Sequence, residues 1–211
     1  MSGQEGPRSV KIGADERTGW SSERPRRAGG PDRPPDISVR CRVLSPSDHL
    51  RYSPGSLLLI VSASPSERDR FAGRLIDKRS LLSLDKVREL LAGRIAEEDI
   101  ADRAPEILDG AIAKRLAAGE TVVVAAEGLE AGERVAYARL AAAAKRPRHL
   151  LLLEAAREDV QAEDLATLND LRRRLDTGEL GAEGFQTAVR VGGGALSELK
   201  RIVFQHPPRD D

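Results

Sequence analysis

The run Leu57-Leu58-Leu59-Ile60-Val61, followed at once by Ser62-Ala63-Ser64-Pro65-Ser66-Glu67-Arg68-Asp69, decides the fold. Five consecutive apolar residues after the turn Ser53-Pro54-Gly55 read as a strand buried on both faces, as in the middle of a parallel sheet. Beyond the short loop a helix is expected over residues 66–75. Outward from this unit the pattern repeats. Short strands are expected at 81–84, 121–125 and 149–153, and residues 201–204 are expected to close the sheet. Helices are expected at 85–93, at 106–118 with Gly119 at its C-terminal position, at 131–145 stopped by Pro147, and at 165–175. Upstream, residues 37–44 alternate apolar and polar like a half-buried strand. Strands alternating with helices imply an α/β fold, a mostly parallel sheet with helices on both faces. Ligands of such sheets bind at the carboxyl ends of the strands, so the loops there are the places to look for function.

The 211 residues carry 34 Lys or Arg against 34 Asp or Glu, a formal net charge of zero. That balance argues against a broadly basic nucleic-acid clamp and leaves room only for a local patch. The single cysteine, Cys41, excludes an internal disulfide and any multi-cysteine zinc site, and no two histidines stand at ligand spacing, so no metal site is expected. No apolar run approaches the ~18 residues of a membrane span, and the polar N-terminus offers no signal peptide. The expectation is a cytoplasmic protein without a membrane partner. Arginine prevails over lysine, and Ala, Gly and Pro are abundant, which points to a bacterial, high-GC source. Residues 1–36, including Glu23-Arg24-Pro25-Arg26-Arg27, have almost nothing to bury and are expected to be a disordered tail. The domain should run from 37 to 206, with a short polar tail at 207–211.

The loop after the 57–61 strand stands where a phosphate-binding loop, G-x-x-x-x-G-K-[ST], would stand. In that motif glycines turn backbone N–H groups onto phosphates, the Lys neutralises them, and the hydroxyl binds magnesium. Here Ser62 and Glu67 replace the glycines, Arg68 the lysine and Asp69 the hydroxyl residue, while Pro65 has no N–H to give. A carboxylate 4 Å from a phosphate charge costs roughly 4 kcal/mol at an effective dielectric of 20. As plain structure the same residues read as a helix start. Ser64 would be the N-cap, Pro65 the first helical residue, and Glu67 the third, closing a capping box.

From about Ser53 to Phe204 the chain resembles the P-loop kinases related to polynucleotide 5′-hydroxyl kinases, including the kinase module of bacterial end-healing enzymes. The resemblance rests on Pro54-Gly55-Ser56-Leu57-Leu58-Leu59-Ile60-Val61, on Leu82-Ser83-Leu84-Asp85-Lys86-Val87-Arg88, and on Arg115-Leu116-Ala117-Ala118-Gly119-Glu120-Thr121-Val122-Val123-Val124. It implies that Asp85 is, or descends from, the general base for an acceptor hydroxyl, and that Arg88 contacts the acceptor's phosphate. On the residues alone Asp85 also reads as a helix N-cap, with Arg88 a solvated neighbour. Where the family strand ends in Asp-x-Thr-Asn, this chain has Ala125-Ala126-Glu127-Gly128. Where the family inserts an arginine-bearing lid, this chain has Ala156-Arg157-Glu158-Asp159-Val160-Gln161-Ala162-Glu163-Asp164, short and acidic. The run Arg172-Arg173-Arg174 reads as a solvated helix face.

The expectation is therefore a degenerate, non-catalytic P-loop kinase fold serving as a binding or assembly module for an unidentified protein, with no cofactor. Two alternatives stay open. One is an active kinase using Mg-ATP on a nucleic-acid 5′-hydroxyl or a small alcohol, with Arg68 on the donor phosphate and Asp85 as base. The other is a nucleic-acid end-binding module that keeps the acceptor pocket only, helped by Lys145, Arg146 and Arg148; outside the active-kinase alternative, Ser62, Ser64, Ser66, Glu67, Arg68 and Asp69 are a degenerate phosphate loop.

Overall fold

The computed structural model describes residues 41–43 and 49–206. The expected tails at 1–36 and 207–211, and most of the 37–44 strand, lie outside the described residues. β3 (Leu57–Ser62) is the hub, with all six residues buried. It pairs in parallel with β5 (Val122–Ala125) on one side and β6 (Arg148–Leu153) on the other. β4 (Leu81–Ser83) pairs outside β5. β7 (Thr187–Val191) pairs outside β6, and β1 (Cys41–Val43) outside β7. The six-stranded parallel sheet thus has the order β1-β7-β6-β3-β5-β4. Counted in chain order from β3 to β7, its five strands other than β1 lie 2-3-1-4-5.

Side-chain alternation along β3 divides the core. Leu57, Leu59 and Val61 enter one apolar cluster with Val87 of α2 (Leu84–Leu91), Leu108, Ile112 and Leu116 of α3 (Glu97–Ala117), Tyr137 and Ala138 of α4 (Ala131–Ala143), and Leu168, Leu171 and Leu175 of α5 (Leu165–Thr177). Leu58 and Ile60 enter the other. There they meet Phe71 and Ala72 of α1 (Pro65–Leu75) and Ala195 of α6 (Gly194–Glu198). A strand with period-two side chains needs cover on both faces when every residue is apolar, and these two helix layers supply it. Each fully buried Leu or Ile contributes roughly 1.5–3 kcal/mol.

Gly55 fixes the entry to β3. Its φ is +71°, and a Cβ there would stand 2.8 Å from the Gly119 carbonyl oxygen. Its N–H donates to Thr121 Oγ1 at 2.9 Å, tying the start of β3 to the start of β5.

Three expectations need correction. Residues 202–204 do not close the main sheet. They form β8 (Ile202–Phe204), which pairs in parallel with β2 (Leu50–Tyr52) as a separate two-stranded sheet over the α1–α6 side of the core. The place beside β6 belongs to β7, where Thr187 and Arg190 interrupt the buried apolar residues and give a weaker signal than an apolar run. The helix expected from 106 begins at Glu97, because Pro105 lies within α3 rather than before it. The capping box at Ser64 and Glu67 is absent. Ser64 is the N-cap and Pro65 the first helical residue, but the Ser64 side chain makes no capping bond; its hydroxyl lies 3.3 Å from Ser66 Oγ.

Candidate functional site

β3 is the switch strand: the chain leaves it toward β4 and β5, then passes back across it to β6 and β7. Its carboxyl end opens onto the start of α1 and the loop after β5, the place such sheets use for ligands. α1 begins at Pro65, so only Ala63 and Ser64 separate strand from helix. Ser62 turns its hydroxyl onto the Ser64 N–H at 3.1 Å, which closes this short link on itself.

Arg68 leaves α1 pointing inward and is almost wholly buried, with 2% of its surface exposed. Its Nη1 donates to the carbonyl of Ala126 and, at 3.4 Å, to that of Glu127. Its Nε donates to Asp69 Oδ1 at 2.8 Å, and its Nη2 lies 3.9 Å from Asp85 Oδ2. Burying a guanidinium is tolerable only when its N–H groups are met, and here two carbonyls and the Asp69 carboxylate accept from it, with the Asp85 charge close by.

Asp85 stands in the first turn of α2, but the N-cap is Ser83, whose hydroxyl accepts from Lys86 N at 3.3 Å. The capping alternative for Asp85 is thereby corrected. Asp85 accepts from Arg88 Nη1 at 3.1 Å, as a spacing of three on a helix permits, and the same nitrogen donates to Glu127. The hydrogen bond to Glu127 holds the Arg88 guanidinium above its ordinary range. Arg68, Asp69, Asp85, Arg88 and Glu127 thus form one chain of alternating charge over the carboxyl ends of β3, β4 and β5. The structure brings Asp85 and Arg88 beside the Ser62–Asp69 segment. Glu67 faces the other way. Burial, helped by the Asp159 charge, raises its pKa against the pull of Arg70, and its Oε2 is buried without a partner.

Sequence reasoning passed over Glu133, the third residue of α4. Its carboxylate accepts from the N–H of Glu127 at 2.8 Å and of Gly128 at 3.0 Å. Two successive backbone N–H groups aimed at one carboxylate make an anion-binding nest. The legible signal was a Glu at the third helical position after a Gly turn, the half of a capping box that reaches back to free N–H groups.

The arginine run is partly exposed, with Arg173 the most open, but each member is also ion-paired. Arg172 Nε meets both carboxylate oxygens of Glu154 at 3.1 Å. Arg173 pairs with Asp170 at 2.8 Å and Glu179 at 2.7 Å, and Arg174 with Asp170 at 2.7 Å. Arg174 also reaches Glu183, the partner of the buried Arg134 in two parallel bonds of 2.9 Å. The 156–164 link folds into two short 3₁₀ turns, Arg157–Asp159 and Ala162–Asp164.

A cleft of about 450 Å³ opens between α1 and α2 over the edge strand β4. Ala72, Leu81 and Ala125 contribute apolar lining, while Asp69, Asp85 and Glu89 supply negative charge and Lys78 and Lys86 positive charge. Neither lysine has a side-chain hydrogen bond or ion pair among the described residues. No group of three or more His, Cys, Asp or Glu placed to hold a metal occurs among the described residues. No helix there is long and apolar enough to cross a membrane. No protein-family model matches the chain, and no curated protein matches it either.

Proposed function

We propose that this chain is a non-catalytic binding module built on a P-loop kinase-like fold, with its donor-phosphate site filled by its own side chains. The strand order 2-3-1-4-5 supports the resemblance. The observation that carries the reading is Arg68. The group aligned with the phosphate-binding lysine is buried and bonded to the Ala126 carbonyl, so it is not presented to a ligand. A nucleotide would also need N–H groups from a wrapped loop, and two residues between β3 and α1 leave no such loop. The Glu127 and Gly128 N–H groups are taken by Glu133. The residues present do not fit magnesium and a triphosphate, and the active-kinase alternative loses its donor cation.

A second reading, nucleic-acid end binding, is favoured by the cleft over β4. Lys78 and Lys86, unpaired among the described residues, offer ammonium groups to a phosphate beside the lining acids Asp69 and Glu89, and Asp85 lies in the same lining to accept from a hydroxyl. Two measurements separate the readings. Thermal unfolding with saturating Mg-ATP should show no stabilisation, whereas a true ligand at 100 times its Kd would add about 2.7 kcal/mol. Fluorescence anisotropy with a short 5′-hydroxyl oligonucleotide should show binding that weakens with salt and on Lys78→Ala if the end-binding reading holds. Micromolar Mg-ATP binding, or phosphate transfer lost in Asp85→Ala, would overturn the non-catalytic reading.

A further inference from the structure

A second groove, of about 420 Å³, lies between the 155–160 turn and α5 and shares no residue with the cleft over β4. Leu165, Leu168, Asn169 and Arg172 line it from α5. Their spacing of three, four and seven places them on one helix face. That face is apolar at one end and cationic at the other. Leu168 reaches the core, but Leu165, one turn earlier, is 42% exposed, among the three most exposed large apolar side chains of the described residues. Val160 of the turn stands in the same lining.

The cationic end is built rather than incidental. Arg172 is fixed by Glu154 through Nε and Nη2, and its Nη1 donates to Asn169 Oδ1 at 3.2 Å. A guanidinium has five N–H groups, so a clamped Arg172 keeps donors to offer in a preset plane. Glu154 is itself shared with Arg190, 3.6 Å away. Arg157, across the groove, has no side-chain hydrogen bond or ion pair among the described residues. The acids of the segment, Glu158, Asp159, Glu163 and Asp164, do not line the groove.

We propose that this groove binds a small organic monoanion: a carboxylate carried on an apolar body the size of one or two rings. The carboxylate would meet Arg157 and the free N–H groups of Arg172, and the body would cover Leu165 and Val160. An apolar ligand without charge would leave the Arg157 guanidinium half-desolvated and unmet, and a cation would be repelled by it. The volume falls within the range of small-molecule sites. This inference is independent of the reading given above, because it uses none of the residues around Arg68.

The test uses the full chain and two probes of matched shape, 2-naphthoate and the uncharged 2-naphthalenemethanol. Calorimetric titration should show saturable naphthoate binding about tenfold tighter than that of the alcohol, the scale of one hydrogen bond to a charged group. Amide chemical-shift changes should cluster on Val160, Leu165, Asn169 and Arg172. Arg157→Gln should abolish the preference for the anion while the alcohol binds as before. Leu165→Ser should weaken both probes about threefold through lost apolar contact. Both positions are exposed, and an unchanged thermal midpoint checks that each variant is folded. The proposal is overturned by naphthoate that does not saturate, by equal affinity for the alcohol, by a preference that survives Arg157→Gln, or by shifts that cluster elsewhere.

Discussion

His149 makes the fold sensitive to acid, and the size of the effect can be worked out. The imidazole sits at the start of β6, 8% exposed, with Nδ1 2.8 Å from Thr187 Oγ1 on β7. The Tyr52 ring of β2 lies 4.6 Å away, with Phe204 of β8 stacked on its far side at 5.9 Å. Nε2 is buried with no partner, as are the Tyr52 hydroxyl and Arg148 Nε next door. A proton on Nε2 would find no acceptor. Burial accordingly pushes the His149 pKa from its ordinary 6.5 down to about 4. The unfolded chain binds this proton below about pH 6.5, and the folded chain only below about pH 4. Stability from this group is therefore complete above 6.5, falls as pH drops between those values, and is gone below 4. At ~1.4 kcal/mol per pH unit the loss is about 2 kcal/mol at pH 5 and about 3 kcal/mol below pH 4.

Carboxylates titrate in the same interval, so the measurement is a difference. Urea unfolding of the native chain and of His149→Gln, from pH 7.5 to 4, cancels the shared background. The native chain should lose about 2 kcal/mol more than the variant between pH 7 and 5. A charged His149 would disturb the seam where Tyr52 and Phe204 pack beside it, so amides of Leu50–Tyr52 and Ile202–Phe204 should gain hydrogen exchange first on acidification. Parallel pH profiles for the two proteins, or an imidazole that titrates near 6.5 by NMR in the folded state, would refute the reasoning.

Three further outcomes follow from burial and geometry. Glu183→Gln or Arg134→Met, each breaking a pair of which both side chains are nearly inaccessible, should cost about 3–5 kcal/mol, and the double replacement less than the sum. Denaturant midpoints decide it, and additive losses would show that the two are not coupled. Glu133→Ala strips two N–H groups of their acceptor and should cost about 2 kcal/mol, read from the thermal midpoint; an unchanged midpoint would mean that water serves the nest equally well. Gly55→Ala combines a left-handed φ with a 2.8 Å backbone approach and should destabilise by at least ~2 kcal/mol in urea unfolding; a neutral result would show that the turn can move.

The parts of this fold that could be read in the sequence are those where one physical signal dominates. β3, β5 and β6 are apolar runs buried on both faces, and nothing else accounts for such runs in a chain this charged. β7 and β2 escaped notice because each is short and exposes residues such as Thr187 and Arg51 among its apolar ones. β8 was found but misplaced, since a three-residue strand does not carry its partner's name; its pairing with β2 depends on contacts across some 150 residues of chain. Helix α3 was shortened because Pro105 reads as a stop, yet the preceding turns Glu97–Ala104 already have acids at their start and Ile100 and Ala104 toward the core. At the site, Arg68 and Asp69 were legible as a motif with its expected groups replaced, and Asp85 and Arg88 through the resemblance. Their partners were not. Glu133 and the Ala126 carbonyl are brought in by the fold, and a carbonyl has no sequence signature at all.

That asymmetry bears on what kind of site this is. A sheet that binds phosphates keeps its N–H groups and cations free until the ligand arrives, and those unmet groups cost stability in the meantime. Here Arg68, Arg88 and the 127–128 N–H groups have resident partners. Arg68 holds carbonyls, Arg88 holds Asp85 and Glu127, and the 127–128 nest holds Glu133. An incoming phosphate would have to displace three internal contacts and leave Glu133 and Asp69 facing its own charge. Replacing Arg68 by lysine would not reverse this, because the ammonium would meet the same carbonyls and the same two-residue link to α1. Cations that remain unpaired among the described residues, among them Lys78 and Lys86 over β4 and Arg157 by α5, line cavities beside this centre rather than in it. Whatever this protein recognises should therefore be sought at its flanks, where charge is still available to be met.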